Sequence, residues 1–232
     1  MNRITETPLF YITLTCVVYA GSLALYRKSR LFFLHPVLVS VGALILFLTR
    51  GGISYEAYME GARHITIFLG PAVVALAVPL YREFEKIRKE AGAVLITALF
   101  GSLAGILSAV TPAVLLGSSR EIVISLAPKS VTSPIAMGIA ERLGGLPPLS
   151  AAVVIAAGIF GAVTGPVILR LLGVTSASSF GLAMGFSSHG IGTARALEIG
   201  GEEGAFSSLG LCLNGLITAG LTPVILRLLG IT

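Results

Sequence analysis

Lys129 stands inside an apolar run, in the stretch APKSVTSPIAM at 127–137. Pro128 precedes it, and Ser130, Thr132, Ser133 and Pro134 follow. Each proline disturbs helical hydrogen bonding at and before its own position. Irregular backbone at membrane depth persists only where protein buries it or where it lines a wet cavity. A half-helix opening at 130–134 would present free N–H groups and partial positive charge to an anion. Lys129 adds a full charge beside it, and the three hydroxyls can satisfy freed backbone groups. The chemistry so described is capture of a small carboxylate. The plainer alternative is that Lys129 snorkels to an interface or pairs with Glu141 or Glu198.

A second stretch, GFSSHGIGTARALEIGGEEGAFSS at 185–208, has the same character. Gly190 and Gly192 loosen the chain just after His189, and Thr193 and Ala194 are placed to start another half-helix. Arg195 falls on its first turn, with Glu198 at i+3, so an intrahelical ion pair competes with a role in the site. His189 titrates near neutrality and is a candidate for proton coupling, as is Glu198; a hydrogen-bonded structural histidine is the alternative. Asn214 lies within the last apolar run, as an interhelical hydrogen-bonding group or part of the lining. Glu202 and Glu203 read as a solvated loop.

The elements that hold these residues are membrane elements. The 232-residue chain is 55% hydrophobic and 12% charged, with mean hydropathy +0.94; a soluble domain carries about 25% charged residues. All 11 acids are glutamate, so no aspartate chemistry is available. The net charge of +5 is scattered through short loops, a pattern of membrane topology and not of nucleic-acid binding. Cys16 and Cys212 read as two buried thiols, with neither disulfide nor metal-ligand spacing. No cofactor is implied. Residues 7–26 form a full-length span in place of a cleavable signal.

About 20 apolar residues cross a bilayer. Charge-poor windows at 7–26, 31–49, 65–81, 91–119, 143–169 and 204–226 supply six ordinary spans, the third interrupted by Gly70-Pro71. The windows 122–140 and 171–194 are irregular. The expected fold is an all-α polytopic membrane protein with about 7–8 transmembrane segments, two of them broken or re-entrant, resembling a secondary transporter in organisation. Basic residues at 27–30 and 82–89 place those loops in the cytoplasm and the N-terminus outside. ISYEAYMEGAR at 53–63 reads as an interfacial helix, with Tyr55 and Tyr58 at headgroup depth.

An internal repeat supports one domain over 1–232. PVILRLLGVT at 166–175 returns as PVILRLLGIT at 223–232, a shift of 57 residues. Ser130 then meets Ser187, and Glu141 meets Glu198. The units are about 118–175 and 176–232, with a fainter copy near 61–117. Broken helices at matching places in two repeats point to a transporter binding site. Small-xxx-small pairs at Gly101/Gly105, Gly161/Gly165 and Gly181/Gly185 suit close helix packing.

LAPKSVTSPIA at 126–136, SHGIGTARALE at 188–198 and GAFSSLGL at 204–211 resemble the signature stretches of the LrgB/CidB family. The resemblance covers nearly the whole chain. It implies an inner-membrane protein acting beside a smaller holin-like partner, LrgA or CidA, in the control of murein hydrolase activity and autolysis. The plastidic glycolate/glycerate translocator resembles a fusion of the two, and bacterial relatives are linked to pyruvate uptake. A binding role is carried onto Lys129, Ser130, Thr132, Ser133, His189, Gly190, Gly192, Thr193 and Arg195. The leading expectation is a transporter of glycolate, glycerate, lactate or pyruvate. A holin- or antiholin-type modulator of autolysis is the alternative, and a homo-oligomer is compatible with either. A membrane enzyme is not expected: HExxH, GxSxG and a metal cluster are missing, and Lys129 and Ser130 would project about 100° apart on a helix, unlike a dyad.

Overall fold

A computed structural model of the chain describes residues 7–29 and 34–232. The described residues are helical and contain no strand. The chain divides into two compact units, residues 1–75 and 76–232.

The first unit contains α1 (Pro8–Ser29), α2 (Pro36–Gly51), α3 (Tyr55–Thr66) and α4 (Leu69–Ala75). Pro36 opens α2 behind His35, where its missing N–H is no loss. Ser54 caps α3, its hydroxyl accepting from the Ala57 amide at 3.2 Å. The expected helix at 53–63 is present and amphipathic, and it packs on α1. A Cβ on Gly61 would stand 2.4 Å from the Pro8 carbonyl oxygen. Tyr58 turns onto α1, its hydroxyl 2.9 Å from Thr15 Oγ1 and its ring edge-on to Tyr11. Tyr55 alone of the two tyrosines is exposed. Gly70-Pro71 does not interrupt a helix; it lies in the first turn of α4, which begins after 67–68. The start of the window at 31–49, and Arg30, lie outside the described residues.

The second unit opens with α5 (Ala77–Arg82) and α6 (Phe84–Lys89). Three long helices follow in α7 (Ala91–Leu115), α10 (Pro147–Leu171) and α12 (Gly201–Leu228). Between them lie α8 (Arg120–Leu126), α9 (Ser133–Leu143) and α11 (Ala177–Ile199). One core cluster joins α7, α8 and α12 through Ile106, Val110, Ile124 and Leu226. Another joins α7, α11 and α12 through Ala98, Leu182, Phe186 and Phe206.

Small residues set the closest approaches, because lipid gives little hydrophobic drive for one apolar helix to seek another. A Cβ on Gly181 would lie 2.4 Å from the Glu203 oxygen, and one on Gly185 would lie 2.3 Å from that of Ser207. Thus α11 meets α12 backbone to backbone. Gly161 and Gly165 of α10 receive Ser188 and Met184 of α11, while Gly101 and Gly105 of α7 face Phe186 and Ser130. All three small-residue pairs therefore lie at helix contacts.

Four described helices are long and apolar enough to cross a membrane: α1, α7, α10 and α12. A fifth arises if Tyr55–Thr66 and Leu69–Arg82 form one bent span. The expected count of seven to eight is not reached by such helices. The shortfall has a physical reason: α2 has 16 residues, α8 has 7 and α9 has 11, each below a span's length. The two cysteines correct the sequence reading. Both Cys16 and Cys212 are exposed on the protein surface, because an apolar side chain in this protein has lipid as an alternative to the core.

Candidate functional site

Both irregular stretches are broken helices. The first break spans 127–132 between α8 and α9. Thr132 is extended at φ −70°, ψ 151°, and Ser133 and Pro134 begin α9. The second break falls on His189, at φ 41°, ψ −133°, inside α11. His189 is the one non-glycine residue with positive φ among the described residues. Such a backbone persists where surroundings over-determine it. Here the ring is buried with Nε2 2.9 Å from the Val154 carbonyl oxygen, and it lies against Gly158. The His189 carbonyl in turn accepts from the Thr193 hydroxyl, which lies 2.9 Å from Ser207 Oγ.

Asn214 of α12 joins the two breaks. Its amide nitrogen donates to the Ser130 carbonyl at 2.9 Å and to the Phe186 carbonyl at 3.2 Å. Its oxygen accepts from the Ser102 hydroxyl of α7 at 2.8 Å and from the Thr218 hydroxyl at 3.0 Å. The side chain is buried, with its hydrogen-bonding capacity met on four sides. Thus α7, α12 and both broken segments share one polar junction inside an apolar bundle.

Lys129 borders a cavity of about 740 Å³ between α10 and α11. Ser187 and Thr164 add hydroxyls, and the walls include Val153, Ala157, Phe160, Ile168, Leu169 and Met184. The lysine is half-buried, with Nζ 3.3 Å from Ser130 Oγ. It has no ion-pair partner among the described residues. Neither Glu141 nor Glu198 is paired with it. An ammonium at this depth with no carboxylate attached attracts an anion.

The other candidate residues are placed as follows. Ser130 is buried against Gly105, and its carbonyl is held by Asn214. Thr132 and Ser133 occupy the α9 start without a side-chain cap bond. Gly190 is exposed, whereas Gly192 is buried, where a Cβ would lie 2.6 Å from the Met184 oxygen. Arg195 pairs with Glu198 at 2.6 Å on the outer side of α11. Of the nine carried residues, Lys129 is the one that borders the cavity. Ser187 borders it as well, and its signal in the sequence is the 57-residue shift that sets it opposite Ser130. Glu202 is no loop residue: it sits in the first turn of α12 and meets Lys86 of α6 at 2.5 Å.

Residues 15–228 match the sequence model of the LrgB-like family. The chain is similar to the uncharacterized protein YxaC of Bacillus subtilis, 36% identical over 220 residues that cover 95% of this chain and 96% of that one. It is similar to the holin-like protein CidB of Staphylococcus epidermidis, 34% identical over 228 residues, 98% and 99% of the two chains. With the holin-like protein CidB of Staphylococcus aureus it shares 34% identity over 220 residues, 95% and 96% of the two chains. No solved structure matches.

Proposed function

The chain belongs to the LrgB-like family of multi-pass membrane proteins, and from that premise we propose that it carries small monocarboxylates such as glycolate, glycerate, lactate or pyruvate across the cell membrane. The observation that carries this reading is Lys129, which has no ion-pair partner among the described residues and is presented by a broken helix at the edge of a cavity. Lys129 holds the carboxylate, Ser187 offers its hydroxyl to the oxygen at the second carbon, and the Thr164 oxygen, whose proton goes to the Phe160 carbonyl, can accept from a substrate hydroxyl. No reaction on the substrate and no cofactor belong to this reading. Asn214 keeps the two breaks in register, so that movement of one is felt by the other.

The proposal includes a duplicated architecture of seven to eight segments, counting each broken pair as one. Helix ends support it. Leu171 and Leu228 close α10 and α12 at an offset of 57, as Ser133 and Gly190 open the half-helices after each break. Cytoplasmic basic loops at 27–30 and 82–89, with the N-terminus outside, complete the topology. An LrgA/CidA-like protein is the proposed partner, against which this chain moves. His189, bonded to a helix that walls the cavity, and Glu198 are the coupling candidates.

The test is uptake of radiolabelled acids into liposomes, with this chain alone and with an LrgA-like partner, and with and without a pH gradient. Saturable uptake that unlabelled acids compete away is expected. Lys129→Ala should abolish that uptake while leaving membrane insertion intact; retained uptake removes Lys129 from the site. A holin-like role is the second reading, favoured by the names of the CidB relatives. Unselective release of all solutes would support it against transport.

A further inference from the structure

The cavity is much larger than the acids just proposed. At about 30 Å³ per water-sized group, a two- or three-carbon acid of about five to seven heavy atoms fills roughly 150–210 Å³, against about 740 Å³ here. Its walls are apolar beyond Lys129 and the hydroxyls: Val153, Ala157 and Leu169 line it, with Phe160 and Ile168. The last two are 60% and 47% exposed, so the cavity continues toward the lipid-facing side of α10. A pocket shaped only for a short hydroxy acid would surround it with polar groups, because each buried polar atom of the ligand needs a partner. Beyond Lys129 and the hydroxyls of Ser187 and Thr164, these walls offer none.

We propose that the site takes monocarboxylates with an apolar tail, with the carboxylate at Lys129 and the tail along Val153, Ala157, Phe160 and Ile168. The proposal rests on the transport reading and extends its substrate class. Charge fixes the head, since no carboxylate among the described residues pairs with the ammonium. Volume and wall chemistry fix the tail, and short acids occupy the head end alone.

The experiment is competition against labelled pyruvate uptake in liposomes holding the full chain, with its LrgA-like partner if uptake requires one. The competitors are pyruvate, 2-oxobutanoate, 2-oxohexanoate and 2-oxooctanoate, strong acids that stay ionised and do not leak across as neutral forms. Half-inhibitory concentration should fall about fourfold per methylene until the cavity is full. Ala157→Leu, which fills part of the tail space, should flatten that slope at the longer acids. A half-inhibitory concentration that is flat or rises with chain length, while pyruvate is still carried, overturns the tail pocket and leaves the transport reading standing. A flat slope would also mean that bilayer acyl chains hold the space. No saturable uptake of any acid overturns both. A slope unchanged by Ala157→Leu overturns the assignment of the tail to these walls.

Discussion

Truncating Asn214 to alanine should destabilise the second unit by about 1–3 kcal/mol. The magnitude follows from what the amide does. Two of its four hydrogen bonds come from the hydroxyls of Ser102 and Thr218. Those hydroxyls can turn to a carbonyl one helical turn back, as Thr222 already does with Thr218 at 2.7 Å. The other two go to the carbonyls of Ser130 and Phe186, which have no such freedom. Interhelical hydrogen bonds in membrane proteins average about 0.6 and reach about 1.7 kcal/mol each, and two of them give the stated range. Asn214→Asp keeps the acceptor but turns both donors into acceptors facing carbonyls, so its loss should equal or exceed that of alanine. Ser108→Ala is the control: that exposed hydroxyl bonds only within its own helix, to Gly105 at 2.9 Å. The assay is reversible unfolding in mixed detergent micelles, followed by helical circular dichroism. If Asn214→Ala lies within about 0.5 kcal/mol of the parent, the junction is not the tie between the breaks.

Gly185→Ala should prevent close docking of α11 on α12 and lower the melting temperature sharply, because the added Cβ meets backbone at 2.3 Å. Gly220→Ala meets nothing within 4 Å and should gain up to about 1 kcal/mol in the same unfolding measurement. At residue 189, the usual helix ranking should invert: His189→Gly should be more stable than His189→Ala by about 1–3 kcal/mol, since glycine alone relieves the positive φ. Equal stabilities would remove backbone strain from the account. Outside the spans, the hydrogen bond and charge of Glu202 raise the Lys86 ammonium above its ordinary 10.5. A raised folded value means stability that is complete below 10.5 and fades only as pH climbs past the folded value. The melting gap between parent and Lys86→Gln should therefore stay constant across the neutral range and close in strong alkali.

Where the chain breaks was legible; how the breaks meet was not. Pro128 and Pro134 mark the first break because their chemistry is local. For the second, the sequence points just after His189, to Gly190 and Gly192, yet the break is on the histidine itself. Gly192 instead serves a close approach to Met184, a use of glycine that sequence does not separate from loosening. Arg195 and Glu198 form the local pair that their spacing allows. Asn214 is legible as an interhelical hydrogen-bonding group, and it is one; which groups it joins is not, since its partners lie 28, 84 and 112 residues away. Glu202 and Lys86 are 116 residues apart, and nothing near either one marks the other. The cysteines failed for another reason: in lipid, apolarity does not say which face of a helix turns inward.

The short half-helices bear on how the protein is made. At 1.5 Å per residue, α8 and α9 are about 10 and 16 Å long, and neither crosses a hydrocarbon layer of about 30 Å alone. A translocation channel that releases segments sideways into lipid would not let this pair go as an ordinary span. It must wait for neighbours that take up its exposed backbone. The Ser130 carbonyl obtains its donor from Asn214, which is synthesised 84 residues later. Until that last helix emerges, the Ser130 carbonyl is without this donor.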